Sequence, residues 1–406
     1  MTASMFSTGH ELRLLQCGRE FFPALAHAID ASTIEVRLET YIFHFDTSGS
    51  EIAHALCRAG QRGVRVYLLM DGVGSPEVPQ EWQLRFNDAG VQWHRFSPLG
   101  HLGLLIPMRW RRLHRKLCVV DGQVAFCGGI NILDDLLDPV FGSLESPRFD
   151  FSVRVTGPLV ADVLRAMVQF WRRLLFTRQM KQLAFHSARQ AWETEGDSLL
   201  LASVEPDSSA GGAKAGASAA LVLRDNVRNR ASIERAYRKA IAMARHEVVI
   251  ANAYFLPGGK LRRALEFAAR RGVRVRLLIQ GRYEYFMQYH AARPVLHSLL
   301  EAGVEIYEYR AGFLHAKVAL VDGCWATVGS SNLDPLSLLL AREANIVVEN
   351  AQFANQLLDR LQAAISEHSV PMNMDRHAAR PWTQHVMDWV AYGTMRLLLF
   401  LTGKRY

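Results

Sequence analysis

The chain repeats itself, and this repeat restricts the folds open to it more than any other feature. One unit reads IEVRLETYIF (34–43), then a helical stretch, then RGVRVYLLMDG (62–72) and AGVQWHRF (89–96). A second unit reads VVIANAYFL (248–256), then a helical stretch, then RGVRVRLLIQG (271–281) and AGVEIYEY (302–309). Such self-similarity marks two copies of one supersecondary unit. The runs at 34–38, 64–70, 248–252 and 273–279 are short, β-branched and apolar, as buried strands are. Between them lie helical patterns, GSEIAHALCRAGQR and GKLRRALEFAARR. Strand–helix–strand alternation predicts an α/β fold with a parallel or mixed sheet. With 406 residues, half of them hydrophobic, the chain can bury two cores of roughly 200 residues each. The expected organisation is a first half over 1–200, a linker over 201–218 that includes the small, Gly-rich run SVEPDSSAGGAKAGAS (203–218), a second half over 219–370 and a tail over 371–406.

Each unit leads to a second shared pattern. LHRKLCVVDGQVAFCGGIN carries His114, Lys116, Asp121, Gly128 and Asn131, and LHAKVALVDGCWATVGSSN carries His315, Lys317, Asp322, Gly329 and Asn332. All four spacings from the histidine agree. On a strand, side chains at i and i+2 share a face, so each His-Lys pair is expected to project together. Two imidazoles facing one phosphorus can divide the labour, one attacking and the other moving the proton. Two lysines offset charge on the non-bridging oxygens, and this chemistry calls for neither metal nor cofactor. Asn131, Asn332 and Ser330 are candidate phosphate donors, beside glycines that would allow close backbone approach. Asp150 and Glu343 each precede an apolar strand and are candidates for holding the far nitrogen of a histidine. Asp121 and Asp322 complete the candidate catalytic set. Both also precede glycine and suit a turn beyond the strand.

These residues make the chain resemble the phospholipase D superfamily, whose signature is HxKxxxxD followed by G-[GS]-x-N. Within it, IANAYFLP (250–257), RRGVRVRLLIQG (270–281) and the stretch 314–345 are most similar to bacterial cardiolipin synthases of the short, B type. The resemblance spans about residues 10–370. It implies two α/β/α sandwich halves forming one bilobed unit with a single active site at their interface. It also implies a ping-pong reaction through a phosphatidyl-histidine, with His114 as nucleophile and His315 as acid and base. One departure is visible, since Ala341 or Arg342 stands where the family has an asparagine before Glu343.

Lys and Arg exceed Asp and Glu by eight, 47 against 39, which favours anionic partners. An anionic phospholipid such as phosphatidylglycerol, and a membrane surface, are the expected partners. The run LGHLGLLIPMRWRRLHRK (99–116) joins aliphatic residues to Arg109, Trp110, Arg111 and Arg112, a composition that suits a headgroup boundary. GRYEYFMQYHAAR (281–293) supplies aromatic residues for a glycerol or acyl pocket, or for a packed lid. The tail, with Trp382, Trp389, Lys404 and Arg405, predicts an interfacial helix, an ordinary docking helix being the alternative. The first 18 residues have no signal-peptide core and no run is long and apolar enough to span a bilayer. The expected location is peripheral or monotopic, on the cytoplasmic face of a bacterial inner membrane. Five cysteines without CxxC spacing read as buried free thiols. The leading function is cardiolipin synthesis from two phosphatidylglycerols with release of glycerol. A nuclease of the same superfamily and a silent lipid-binding scaffold are the alternatives, and the apolar run at 99–108 and the lipid-like tail count against nucleic acid.

Overall fold

A computed structural model of the chain describes residues 6–99, 110–139, 141–181, 216–225, 229–282, 286–334, 341–373 and 382–401. The first half contains β1 (Ser7–Gln16), α1 (Cys17–Asp30), β2 (Glu35–Thr40), α2 (Thr47–Gln61), β3 (Arg65–Asp71), α3 (Gln80–Asp88) and β4 (Gln92–Phe96). It continues through β5 (Arg112–Leu113), β6 (Lys116–Val120), β7 (Val124–Gly128), a small hairpin of β8 (Leu137–Asp138) and β9 (Gly142–Ser143), β10 (Phe151–Thr156) and α4 (Leu159–Lys181). The second half begins with β11 (Ala217–Arg224), α5 (Ser232–Met243), β12 (Glu247–Asn252), α6 (Gly259–Arg270), β13 (Arg274–Gln280), α7 (Phe286–Glu301) and β14 (Glu305–Tyr309). It ends with β15 (Lys317–Val321), β16 (Trp325–Gly329), β17 (Ala341–Glu349), α8 (Ala351–His368), β18 (Ser369–Pro371) and α9 (Trp382–Leu401).

The repeat becomes a pseudo-twofold sheet. From one edge the strands run β4-β3-β2-β6-β7-β10-β1, and from the seam onward β11-β17-β16-β15-β12-β13-β14-β18. Within each half the β2-β3-β4 or β12-β13-β14 set is parallel and its neighbours are antiparallel, so the sheet is mixed. The halves join where β1 pairs antiparallel with β11, His10 opposite Ala217.

Continuous apolar strands follow from burial on both faces. In β6, Leu117 and Val119 face a core shared with α4, while Cys118 and Val120 face the core beneath α1, α2 and α3. In the second half a matching core lies beneath α5, α6, α7 and α9. Helix α6 buries Leu261, Leu265 and Ala268 at helical spacing. Asp46 caps α2 by accepting from Gly49 N, and Asn350 caps α8 by accepting from Phe353 N. Helix α4 packs across β6, β7 and β10 and on to β11, and α8 packs across β14 to β17 and on to β1. Each long helix therefore straddles the seam and fixes one half against the other.

Two sequence expectations need correction or restriction here. Cys17, Cys57, Cys118 and Cys127 are buried free thiols, but Cys324 is exposed, because it sits in the turn between β15 and β16 rather than in either strand. Most of the expected linker, 201–215, lies outside the described residues, and Ala217 and Ser218 already belong to β11. Of the described helices, none is long and apolar enough to cross a membrane.

Candidate active site

His114 lies between β5 and β6, and His315 lies just before β15. The expectation of a His-Lys pair on one strand face therefore changes. Lys116 and Lys317 begin the strands, the histidines stand outside them, and each ammonium folds back to donate to its own histidine's carbonyl oxygen. What fixes the histidine backbones comes from the opposite half. His114 N donates to Arg342 O at 3.0 Å, and His315 N donates to Phe149 O at 2.9 Å. The short strand β5 pairs in parallel with β17 to bring this about.

The carboxylates cross the seam as well. Glu343, at the start of β17, accepts from His114 Nδ1 at 3.0 Å. Asp150, preceding β10, accepts from His315 Nδ1 at 2.6 Å. Each histidine is thus oriented by the carboxylate of the other repeat, which adjacency in sequence does not suggest. Asp150 and Glu343 are buried, as are both lysines. Lys317 Nζ is 3.7 Å from Asp150 Oδ2.

Electrostatics couple these groups into one centre. Burial holds the His114 imidazole below its usual range, Glu343 opposes this, and Lys116 and Lys317 add to it. His315 is pushed down to about 3 by burial and then by Lys317, against the pull of Asp150, and Lys116 contributes. Each imidazole therefore feels the lysine of the other half. Burial and Lys317 lower the Lys116 ammonium to about 7. Burial would raise both carboxyls, but Lys317 and His315 outweigh it at Asp150, and His114 and Lys116 outweigh it at Glu343. The resulting state is two neutral imidazoles with Nδ1–H held by carboxylates. This leaves each Nε2 as a lone pair able to attack phosphorus or accept a proton.

The chain is similar to known proteins along nearly its whole length. A family profile described as "Cardiolipin synthase, PLD-like domain" matches residues 25–138 and 237–365. The chain is 37% identical over 396 residues to cardiolipin synthase B of Salmonella typhimurium LT2, covering 97% of this chain and 90% of that one. It is 36% identical over 395 residues to cardiolipin synthase B of Escherichia coli K12, with the same coverage. The chain belongs to the cardiolipin synthase family of phospholipase D-like proteins. A solved structure of phosphatidylserine synthase from Haemophilus influenzae shares the fold, with TM-score 0.65 and 14% identity over 95% of this chain and 94% of that one.

Within this family motif, the two aspartates do not reach the reaction centre. Asp121 lies past the far end of β6 and accepts from the N–H groups of Thr33, Ile34 and Glu35. Asp322 does the same for Arg245, His246 and Glu247. Both adopt positive φ, 51° and 50°, in tight turns ending in glycine. They staple the entry to β2 and β12, so their place in the candidate catalytic set is corrected to a structural one. Strand length is the reason, since each five-residue strand begins at the lysine and the aspartate follows its far end.

The glycines and neutral donors are also reassigned. A Cβ at Gly129 would sit 2.3 Å from Asp150 Oδ1, and one at Gly329 would sit 2.3 Å from the Asn345 side chain. These glycines make room for protein rather than for phosphate. Ser330 is fully buried, donates to Glu343, and accepts from Ala344 N at 3.1 Å. Its hydroxyl is engaged by Glu343 and Ala344, so in this structure it supports the carboxylate. Asn131 is buried with its Oδ1 accepting from Ile42 N, and Asn332 is buried with Oδ1 unbonded among the described residues.

Sequence reasoning missed two contributors. The Tyr41 ring lies 4.7 Å from the His114 ring, and Lys116 Nζ lies 5.3 Å from its centroid. Asp71, fully buried at the end of β3, accepts from Leu113 N at 2.7 Å and Arg112 Nη1 at 3.0 Å, and so anchors the segment that delivers His114. Asp71 occupies the place of Gln280 in the repeat, and that mismatch is the only signal it leaves in the sequence. The same bond turns Arg112 inward, which removes it from the expected membrane-facing cluster. Residues 100–109 of that cluster lie outside the described residues.

Proposed function

We propose that this chain makes cardiolipin by transferring a phosphatidyl group between two phosphatidylglycerol molecules. The observation that carries this reading is the pair of imidazoles, each held at Nδ1 by a buried carboxylate of the other half, with a buried lysine beside each. The donor phosphodiester anion would lie between Lys116 and Lys317. His114 Nε2 attacks phosphorus, the bond from phosphorus to the glycerol oxygen breaks, and His315 Nε2–H gives its proton to the departing alkoxide. Burial and then Lys317 depress His315, and a bound phosphodiester anion opposes both by favouring the protonated imidazole that supplies this proton. In the second step the terminal hydroxyl of another phosphatidylglycerol gives its proton to His315 and attacks phosphorus. The P–N bond breaks and His114 is restored. The choice of His114 as nucleophile rests on the family resemblance.

The lipid substrate also implies attachment to a bilayer surface, and α9 supports it. One side of α9 packs on α7 through a buried His290–Asp388 pair, Nδ1 to Oδ1 2.5 Å, with Ala391 and Met395. The other side exposes Trp382, Val386, Trp389, Val390 and Leu397. An apolar, Trp-bearing helix face at the protein surface suits the headgroup boundary, which supports reading α9 as an interfacial helix docked on α7. We place the protein peripherally on the membrane. The test is incubation of pure protein with phosphatidylglycerol vesicles, and separately with DNA. Cardiolipin and glycerol in equal amounts are expected, and His114→Ala and His315→Ala should each abolish them. DNA cleavage without lipid turnover would replace the proposal with a nuclease.

A further inference from the structure

The two halves differ beside the reaction centre. In the second half a pocket opens at the carboxyl ends of β12 and β13, between the sheet and helices α7 and α9. Its wall is apolar, formed by Ala253 to Leu256, Ile279, Leu296 and Met395, and Tyr289, Gln280 and Asp334 add polar atoms. In the equivalent place of the first half the turn at 73–75 packs on Tyr41, where a Cβ at Gly74 would lie 2.6 Å from the Tyr41 ring. Ser75 Oγ also binds both Tyr41 O and Phe43 N.

Two contacts join the pocket to His315. Ala253 N donates to Ala316 O at 3.0 Å, and Ala316 follows His315 directly. Arg282 stacks on Phe313, with Cζ 5.5 Å from the ring centroid, two residues before His315. Arg293, in the same wall, is neutralised by Glu308 at 3.1 Å. Arg282 makes no ion pair among the described residues, so the pocket, which Asp334 also lines, holds one guanidinium with no carboxylate bound to it. Met395 of α9 lines the same pocket, and the opposite face of that helix is apolar and exposed.

We propose that this pocket seats the acceptor phospholipid, with its phosphate on Arg282 and its glycerol reaching past Phe313 to the phosphorus held on His114. This inference rests on the transfer reaction proposed above. A guanidinium suits a phosphate because it can donate two parallel hydrogen bonds. The glycerol carbons span from that phosphate to the reacting hydroxyl. With α9 at the bilayer surface, the head group enters the pocket while the acyl chains stay in lipid. In the reaction, the acceptor hydroxyl oxygen bonds to phosphorus, the P–N bond to His114 breaks, and the proton passes to His315. When no acceptor is seated, water takes the same path and yields phosphatidic acid.

The test compares wild type with Arg282→Ala, Arg282→Lys and Leu296→Trp on phosphatidylglycerol vesicles, following cardiolipin, phosphatidic acid and single-turnover glycerol release. Ethanol is added in a parallel arm as an acceptor too small to need the pocket. Arg282→Ala and Leu296→Trp are expected to cut cardiolipin formation on the order of 10-fold or more, the loss of one charge-assisted contact. Product should shift to phosphatidic acid, while glycerol release and phosphatidylethanol formation hold, and Arg282→Lys should recover part of the loss. Equal falls in cardiolipin, glycerol release and phosphatidylethanol would overturn the proposal, because they would assign the pocket to the donor or to the fold. Unchanged cardiolipin in both disruptive variants would also overturn it. Failure of the wild type to consume phosphatidylglycerol would instead strike the reaction itself.

Discussion

Replacing Glu343 by Gln tests the seam-crossing geometry most directly. The carboxylate is fully buried and accepts from His114 Nδ1 at 3.0 Å, with Ser330 as its second partner. A hydrogen bond to a charged group is worth about 1.5–3 kcal/mol and a neutral one about 0.5–1.5. Losing the charge alone would therefore cost roughly 1–1.5 kcal/mol, about 10-fold in rate. The amide has a second effect. If its NH2 faces Nδ1, the proton is forced on to Nε2 and the lone pair that attacks phosphorus is gone. In a Ser-His-Asp triad the corresponding change costs about 10,000-fold. Ser330 and His114 Nδ1 both donate to the same oxygen, Oε2, so the Gln oxygen placed there keeps both bonds and the NH2 takes the other position. The smaller loss, about 10-fold, is expected, in kcat rather than in KM. The assay is steady-state conversion of phosphatidylglycerol to cardiolipin, with thermal melting as the control for folding. A Glu343→Gln enzyme with wild-type kcat would refute the reasoning, because the carboxylate across the seam would then neither orient nor tautomerise His114.

Other outcomes follow from the same coordinates. Ser330→Ala removes one bond to Glu343 and should lower kcat by roughly 5-fold, about 1 kcal/mol, and an unchanged kcat would separate Ser330 from the centre. Lys116 is protonated below about 7 and neutral above it. Its phosphate-binding charge is therefore lost as pH rises through that value, and kcat/KM for phosphatidylglycerol should fall there, whereas a profile flat across about 7 contradicts the role. Asp121→Ala and Asp322→Ala should each lower stability by about 1 kcal/mol, moderated by solvent exposure, with kcat retained in the folded protein; loss of kcat without loss of melting temperature would restore them to the catalytic set. Trp389→Ser should weaken sedimentation with phosphatidylglycerol vesicles by on the order of 10-fold, and equal binding by the variant would remove α9 from the membrane contact.

The repeat, the strands and the paired His-Lys spacing were legible in the sequence because they are local. Alternation of apolar strand and amphipathic helix depends on neighbours in the chain, and β2, β3, β12 and β13 lie within a residue or two of where the pattern puts them. Glu343 and Asp150 were legible as carboxylates in suitable places, and Asp71 only as a mismatch within the repeat. The partner of each carboxylate was not legible. By sequence Glu343 belongs with His315 and Asp150 with His114, yet the hydrogen bonds run 229 and 165 residues away, to the histidine of the opposite half. That exchange exists because β1 and β11 pair edge to edge and β5 lies against β17. Which strand edges meet is set by the summed burial of two sheets and the helices over them, a quantity that no local pattern contains. The chemistry was therefore written in residue types and spacing, while the seam alone decided which groups act together.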